Sequence, residues 1–210
     1  MDALSYLALD GIFVSFMSGS TVFLGLRIGA GNVPSTLNAS AAIIGYIGGV
    51  ALAAYIAYPS STQEKLWPRS ATKMVAIELA LLVVFAFGGF FAGKPPTQLA
   101  LYVLIALASL AMGIQSAIVY ALGVYGVVTT AISATWTGAI IGLVDWRRSP
   151  ATKRTVKQKQ NLGVQGIVLV LFVLGATAGG LAETRFFLEA AIIPVVIIGL
   201  VIVVASLRMR

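Results

Sequence analysis

The chain has 210 residues, 59% of them hydrophobic and 10% charged, with a net charge of +7. A soluble domain carries about 25% charged residues, so this composition excludes one and reads as a single all-α polytopic membrane domain over 1–210. Cysteine and histidine are absent, which removes disulfides, thiolate chemistry, imidazole metal ligands and Ser-His or Cys-His nucleophilic pairs. No catalytic residue, metal site or cofactor is assigned, and a non-enzyme is expected.

A span needs about 20 apolar residues. The chain opens on a segment at 2–9 that is too short to cross a bilayer and reads as the second half of a truncated helix. Seven spans follow, near 11–28, 37–58, 72–93, 97–121, 124–146, 161–181 and 186–207. Asp10 is expected at the first junction as an N-cap, and Asn38 or Ser35 as the cap of the second full span. Breakers separate the spans: 29–34, the stretch from Pro59 to Pro68, Lys94-Pro95-Pro96 and Ser149-Pro150. The turn at 123–126 has no charge and must be tight. Pro194 lies inside the last span and predicts a kink.

Six of the fourteen basic residues lie in the 147–160 loop. With no nucleic-acid-binding motif beside them, they read as a topology signal and not as a nucleic-acid site. The loop and the C-terminus are placed in the cytoplasm of a cell (inner) membrane protein. Counting spans outward puts Arg27, Lys94, Arg208 and Arg210 on the same side. Lys65, Arg69, Lys73 and Arg185 fall outside, so the 59–71 loop dissents. Anionic lipid headgroups are a secondary partner of the basic loop. Trp67 and Trp146 read as interface anchors, and Trp136 lies deeper.

The chain also matches itself. Gly11 to Ser20 aligns with Gly126 to Thr135, pairing Ser15 with Thr130, Ser18 with Ser133 and Ser20 with Thr135. GxxxG pairs recur in order at Gly25 and Gly29, Gly45 and Gly49, Gly138 and Gly142, and Gly175 and Gly179. Small residues at this spacing let helix backbones approach closely. Glu78 follows Lys73, and Glu189 follows Arg185. Two units of four helices are expected, over about 1–95 and 96–210, related in parallel because each unit has an even number of spans.

The run from Asp2 to Gly25 resembles the signature of the YoaK-like membrane proteins, the domain-of-unknown-function 1275 family: Asp-Ala, a Leu-rich stretch, Gly, Val-Phe, then Met-Thr-Gly-Asn and Val-Leu-Gly. A second hallmark is similar to Met112-Gly113-Ile114-Gln115-Ser116-Ala117 followed by Thr129-Thr130. The family's Glu early in a middle span is similar to Glu78. Here Ser18 stands where the family has Thr, and Ser20 and Ser116 where it has Asn. The resemblance covers nearly the whole chain and implies its architecture; the family name assigns no activity.

A charge in a span costs roughly 2.5–3.5 kcal/mol on insertion scales, so each needs a reason. Glu78 and Glu189 are the candidate coupling carboxylates, each weighed against a structural pairing with Lys73 or Arg185. Asp2, Ser15, Ser18, Gly19, Ser20, Gln115, Thr130, Ser133 and Thr135 are the candidate substrate-binding residues. Gly19 beside three hydroxyls marks a possible unwinding that would expose backbone polar groups to a cavity. A small-molecule secondary transporter is expected, with its site between the two motif helices near midplane. The competing expectation is a non-transporting scaffold or accessory subunit, packing through Gly-rich helices as a homo-oligomer or in a membrane complex.

Overall fold

In a computed structural model, residues 1–57, 69–93, 95–121, 132–148 and 156–208 are described. Their order is α1 (Asp2–Ala8), α2 (Met17–Gly29), α3 (Val33–Ala57), α4 (Arg69–Phe91), α5 (Gln98–Ala121), α6 (Ile132–Arg148), α7 (Val156–Phe186), a 3-10 turn (Phe187–Ala191) and α8 (Ile192–Arg208). No strand occurs among the described residues. Three helices are long and apolar enough to cross a membrane over Val33–Ile56, Ser70–Phe91 and Gln98–Ala121, and a fourth such stretch, Gln160–Val204, runs through α7 and α8.

The core is built on α3 and α5, which lie side by side and point the same way. An added Cβ at Gly45 would stand 2.6 Å from the Ala106 carbonyl, and one at Gly49 would collide with the Leu110 carbonyl. One at Gly113 would collide with the Tyr46 carbonyl. Only glycine at these positions lets the two backbones touch. Helix α4 returns antiparallel along α5, with Gly88 facing Leu104. Helix α8 runs back along α4, its Ile198 and Ile202 packing on the cluster of Ala71, Met74 and Val75.

Each helix end has a local cause. Gly31, at φ 67°, closes α2, where Asn32 N–H donates to Arg27 O at 3.1 Å. Asn32 Oδ1 then accepts from Ser35 N–H at 3.2 Å, so Asn32, and not Asn38 or Ser35, caps α3. Thr97 caps α5 through its hydroxyl, which accepts from Ala100 N–H at 3.3 Å. Pro194 is the third residue of α8. There its missing N–H has no intrahelical partner to lose, so it starts the helix instead of kinking it.

The largest departure from expectation is at 9–16. These apolar residues are not helical, and the predicted span 11–28 begins only at Met17. Asp10 and Gly11 take positive φ, 55° and 66°, and the chain turns back along α1. Asp10 is therefore a turn residue and caps no helix. After this turn the segment runs from the end of α1 to its start, and α2 then runs back beside α3. Residues 10–29 form a hairpin that enters and leaves at one end of the bundle.

That end also holds the starts of α3 and α5, the end of α4 and the 3-10 turn, whose Leu188 seats on Gly89. It is called here the Asp10 end. Helix α6 meets α7 through Gly138 against Gln165 and Gly142 against Leu162. That register is antiparallel and sets Ile132 level with Leu171 and Phe172, at the middle of α7. Helix α6 therefore starts in the interior and ends, with Arg147 and Arg148, at the opposite end.

Two expectations change as a result. Helices α2, α3 and α4 run opposite to α6, α7 and α8 respectively, so the parallel relation between halves is excluded. Arg27, which donates to Ser35 O at 3.0 Å, lies at the Asp10 end, away from Arg147. Counting α2 and α6 as full crossings produced both errors.

Candidate functional site

The hairpin tip is organised by one carboxylate. Asp2 Oδ1 accepts from Val14 N–H at 2.9 Å and from Ser15 N–H at 2.8 Å. Asp2 Oδ2 accepts from the Ser15 hydroxyl. In an apolar interior, unpaired N–H groups of a non-helical segment are costly, and a carboxylate accepting several donors satisfies them strongly. Nearby, the buried Ser20 hydroxyl donates to Phe13 O at 2.7 Å. Of the hydroxyls predicted here, Ser15 is thus spent on the Asp2 carboxylate and Ser20 on the hairpin's own backbone.

An aromatic stack fills the hairpin. Tyr6 stacks on Phe13 with centroids 4.9 Å apart, and Phe13 stacks on Phe23 at 6.0 Å. Phe16 meets Phe13 edge-on. A Cβ at Gly19 would lie 2.7 Å from Phe16 Cε1, so Gly19 makes room for that ring inside a helix that remains wound. Arg27 closes the stack, with its guanidinium 5.6 Å from the Phe23 ring centre.

A second polar cluster ties the hairpin to the bundle at the Asp10 end. Arg27 Nη2 donates to Asp10 O at 2.7 Å and stands 3.9 Å from Asp10 Oδ2. That same oxygen accepts from the Ser35 hydroxyl at 3.0 Å and from Asn38 Nδ2 at 2.8 Å. Gln98 Nε2 donates to Asn38 Oδ1 at 3.2 Å. One chain of contacts thus joins α2, α3 and α5. Gln98 was missed in the sequence because a glutamine at the start of a span looks like an interface residue.

The remaining candidates scatter. Ser18 and Ser133 are exposed, in the first turns of α2 and α6. Gln115 is half-buried on α5. Thr130, with the matched segment from Gly126 and the turn at 123–126, lies outside the described residues. Helix α2 packs on α3 and α6 on α7, so the two motif helices are not a packed pair. Glu189 sits in the 3-10 turn, beside an apolar cavity of about 590 Å³ lined by Phe87, Phe90, Phe91 and Ile192. An added Cβ at Gly25, Gly29 or Gly175 would meet nothing within 4 Å, and one at Gly179 only Ala3 at 3.7 Å.

Among the described residues, three buried side-chain oxygens have no hydrogen-bond partner: Glu78 Oε1, Ser109 Oγ and Thr135 Oγ1. Glu78 is 2% exposed, inside α4. Lys73, its expected partner, is exposed, and no ion pair joins them among the described residues. Ser109 lies against Gly45 in the α3–α5 seam; the small-xxx-small spacing of Ser109 and Gly113 was the signal available for it. Thr135 is 1% exposed, in the first turn of α6.

A family profile described as "Protein of unknown function (DUF1275)" matches residues 1–205. The chain is 30% identical over 209 residues to the UPF0700 transmembrane protein YoaK of Bacillus subtilis (strain 168), a match covering 100% of this chain and 89% of the relative. No solved structure matches it.

Proposed function

We propose that this chain, which belongs to the DUF1275 family of membrane proteins of unknown function, is a small-solute secondary transporter. One observation carries the reading: α2 and α6 are partial helices that begin in the interior and end at opposite ends of the bundle. Broken helices entering from both sides are how many transporters expose helix termini and free backbone groups at mid-depth. Irregular backbone at that depth is tolerated where it is buried in protein or lines a cavity.

The duplication fits this reading in inverted form. The offset that aligns Gly11 with Gly126 also aligns Met17, the first residue of α2, with Ile132, the first of α6. Each unit then holds one partial helix and, with the short α1 counted as the counterpart of the crossing α5, three crossings, an odd number that inverts the second unit. The orientation sharpens too. Among the described residues, Arg69, Lys73, Arg147, Arg148, Lys157, Lys159 and Arg208 belong to helix ends away from Asp10, and Arg27 and Arg185 to the Asp10 end. By the positive-inside rule this bias supports a cytoplasmic side away from Asp10.

Glu78 is the coupling carboxylate of this reading, since a buried acid without a partner can take up and release a proton as its surroundings change. Reconstituted protein should accumulate a solute under an imposed proton gradient, and Glu78→Gln should remove the gradient dependence. Absence of uptake across a broad solute panel, under proton and sodium gradients, would sink it. Of the glycines behind the scaffold reading, Gly45 and Gly49 are consumed by packing inside one chain, while Gly25, Gly29 and Gly175 face open space and remain its support.

A further inference from the structure

We propose that the cavity between the C-terminal half of α4 and the start of α8 binds a lipophilic organic cation near the membrane surface. The site goes beyond the transport reading and does not depend on it. Its place follows from the helix ends. Phe91 closes α4, Phe186 closes α7 and Ile192 opens α8. The cavity therefore reaches from the Asp10 end inward to Val83, about 12 Å at the rise of an α-helix. Phe87, Phe90, Phe91, Phe186 and Ile192 are each more than half exposed, so it opens sideways toward lipid, just inside the water boundary.

The lining names the ligand class. A cavity of about 590 Å³ has the size of a small-molecule pocket, and of the side chains lining it only that of Glu189 is polar. The aromatic wall is Phe87, Phe90, Phe91 and Phe186. Phe90 and Phe91 pack edge to face, with centroids 5.2 Å apart and planes at 87°, so this wall is formed before a ligand arrives. Phenyl faces attract a cation, and the carboxylate beside them supplies the opposite charge. A lipid tail would use the rings and leave the carboxylate unused. A phosphate headgroup would be repelled by it. A molecule with an apolar body and one positive charge uses both. Glu189 need not be unpaired for this, since a carboxylate has about four lone-pair sites. Arg185, four residues earlier, is exposed in the last turn of α7 and does not line the cavity.

Tetraphenylphosphonium is the probe, and triphenylphosphine oxide is its neutral analogue. Each is dialysed to equilibrium against full-length protein in phosphatidylcholine nanodiscs, with empty nanodiscs subtracted. Tetraphenylphosphonium should bind saturably and at least about tenfold tighter than the oxide. Glu189→Gln should remove most of that preference and leave oxide binding in place, which also shows that the variant is folded. Glu189→Asp should keep most of the preference. Ile193→Trp fills the cavity at a depth where tryptophan is tolerated, and should weaken both probes at least about tenfold. No saturable binding of the phosphonium overturns the site. So does equal affinity for the two probes, which would mark a groove for lipid tails only. A phosphonium affinity indifferent to Glu189→Gln or to Ile193→Trp overturns it as well. If Glu189→Gln loses both probes, Glu189→Asp decides: a retained preference supports the site and a lost one overturns it. Phosphonium binding without gradient-driven uptake of any solute into proteoliposomes overturns transport and leaves the site. Uptake of a solute without phosphonium binding does the reverse.

Discussion

Two regions of the molecule treat their buried polar groups differently. In the first, α1 and α2 enclose a tip whose carboxylate, backbone amides and hydroxyl satisfy one another. In the second, the start of α6, the buried Thr135 hydroxyl has no partner among the described residues. The glycines differ likewise: Gly45 and Gly49 bring α3 against α5, while Gly175 on α7 faces open space. Matched residues in a sequence therefore do not by themselves make matched contacts.

The sharpest test of this contrast is the glycine seam. Leucine at Gly49 would drive a side chain into the Leu110 carbonyl, which is backbone and cannot swing aside. The loss should reach about 3 kcal/mol or more, enough to deplete folded protein on size-exclusion chromatography in detergent. Leucine at Gly175 should stay within about 0.5 kcal/mol. Equal losses at the two positions would erase the contrast.

Next in size is Asp2→Ala. It leaves two amides and a hydroxyl unpaired, each costing about 1–3 kcal/mol when buried. Thermal unfolding should drop clearly, with Asp2→Asn intermediate. Ser116→Ala should be near neutral, since Ser116 only bonds back to Met112 O at 2.9 Å within its own helix. Arg27→Ala removes two hydrogen bonds from a charged donor, and about 1.5 kcal/mol is expected. Suppression of that loss by a simultaneous Asp10→Ala would show that the pair acts as a unit. Gly19→Ala should cost near 1 kcal/mol from crowding Phe16. The aligned position in the second half is already alanine, Ala134, so a larger penalty would mark the aromatic stack as a device of the first half only.

Composition and periodicity made the helices legible, and most boundaries fell within a few residues. What they hid was direction. Ile12, Phe13, Val14 and Phe16 are as apolar as any span, so the stretch read as membrane helix. The broken path depends on Asp2, twelve residues from Val14, and on Asp10 and Gly11 taking positive φ. Neither leaves a periodic trace. The candidate site was half legible for the same reason. Hydroxyls at Ser15 and Ser20 stood out as a motif, but whether each is spent on the backbone or left over, as at Thr135, depends on contacts made across the fold. Gly113 was overlooked as a seam residue because its small partner, Ser109, is not a glycine.

The hairpin at 10–29 also constrains how the protein is made. A full span satisfies its own backbone and can leave the insertion machinery for lipid as soon as it is complete. This hairpin cannot, because its extended arm has no such ladder; Asp10 is tied to Ser35 and Asn38 at the start of α3, and Ile12 and Val14 share one core cluster with Leu104 and Ile105 of α5. Those α5 residues are synthesised only after α3 and α4. The hairpin must therefore wait, sheltered from lipid, for partners two crossings downstream, and its final docking is a late event in biogenesis.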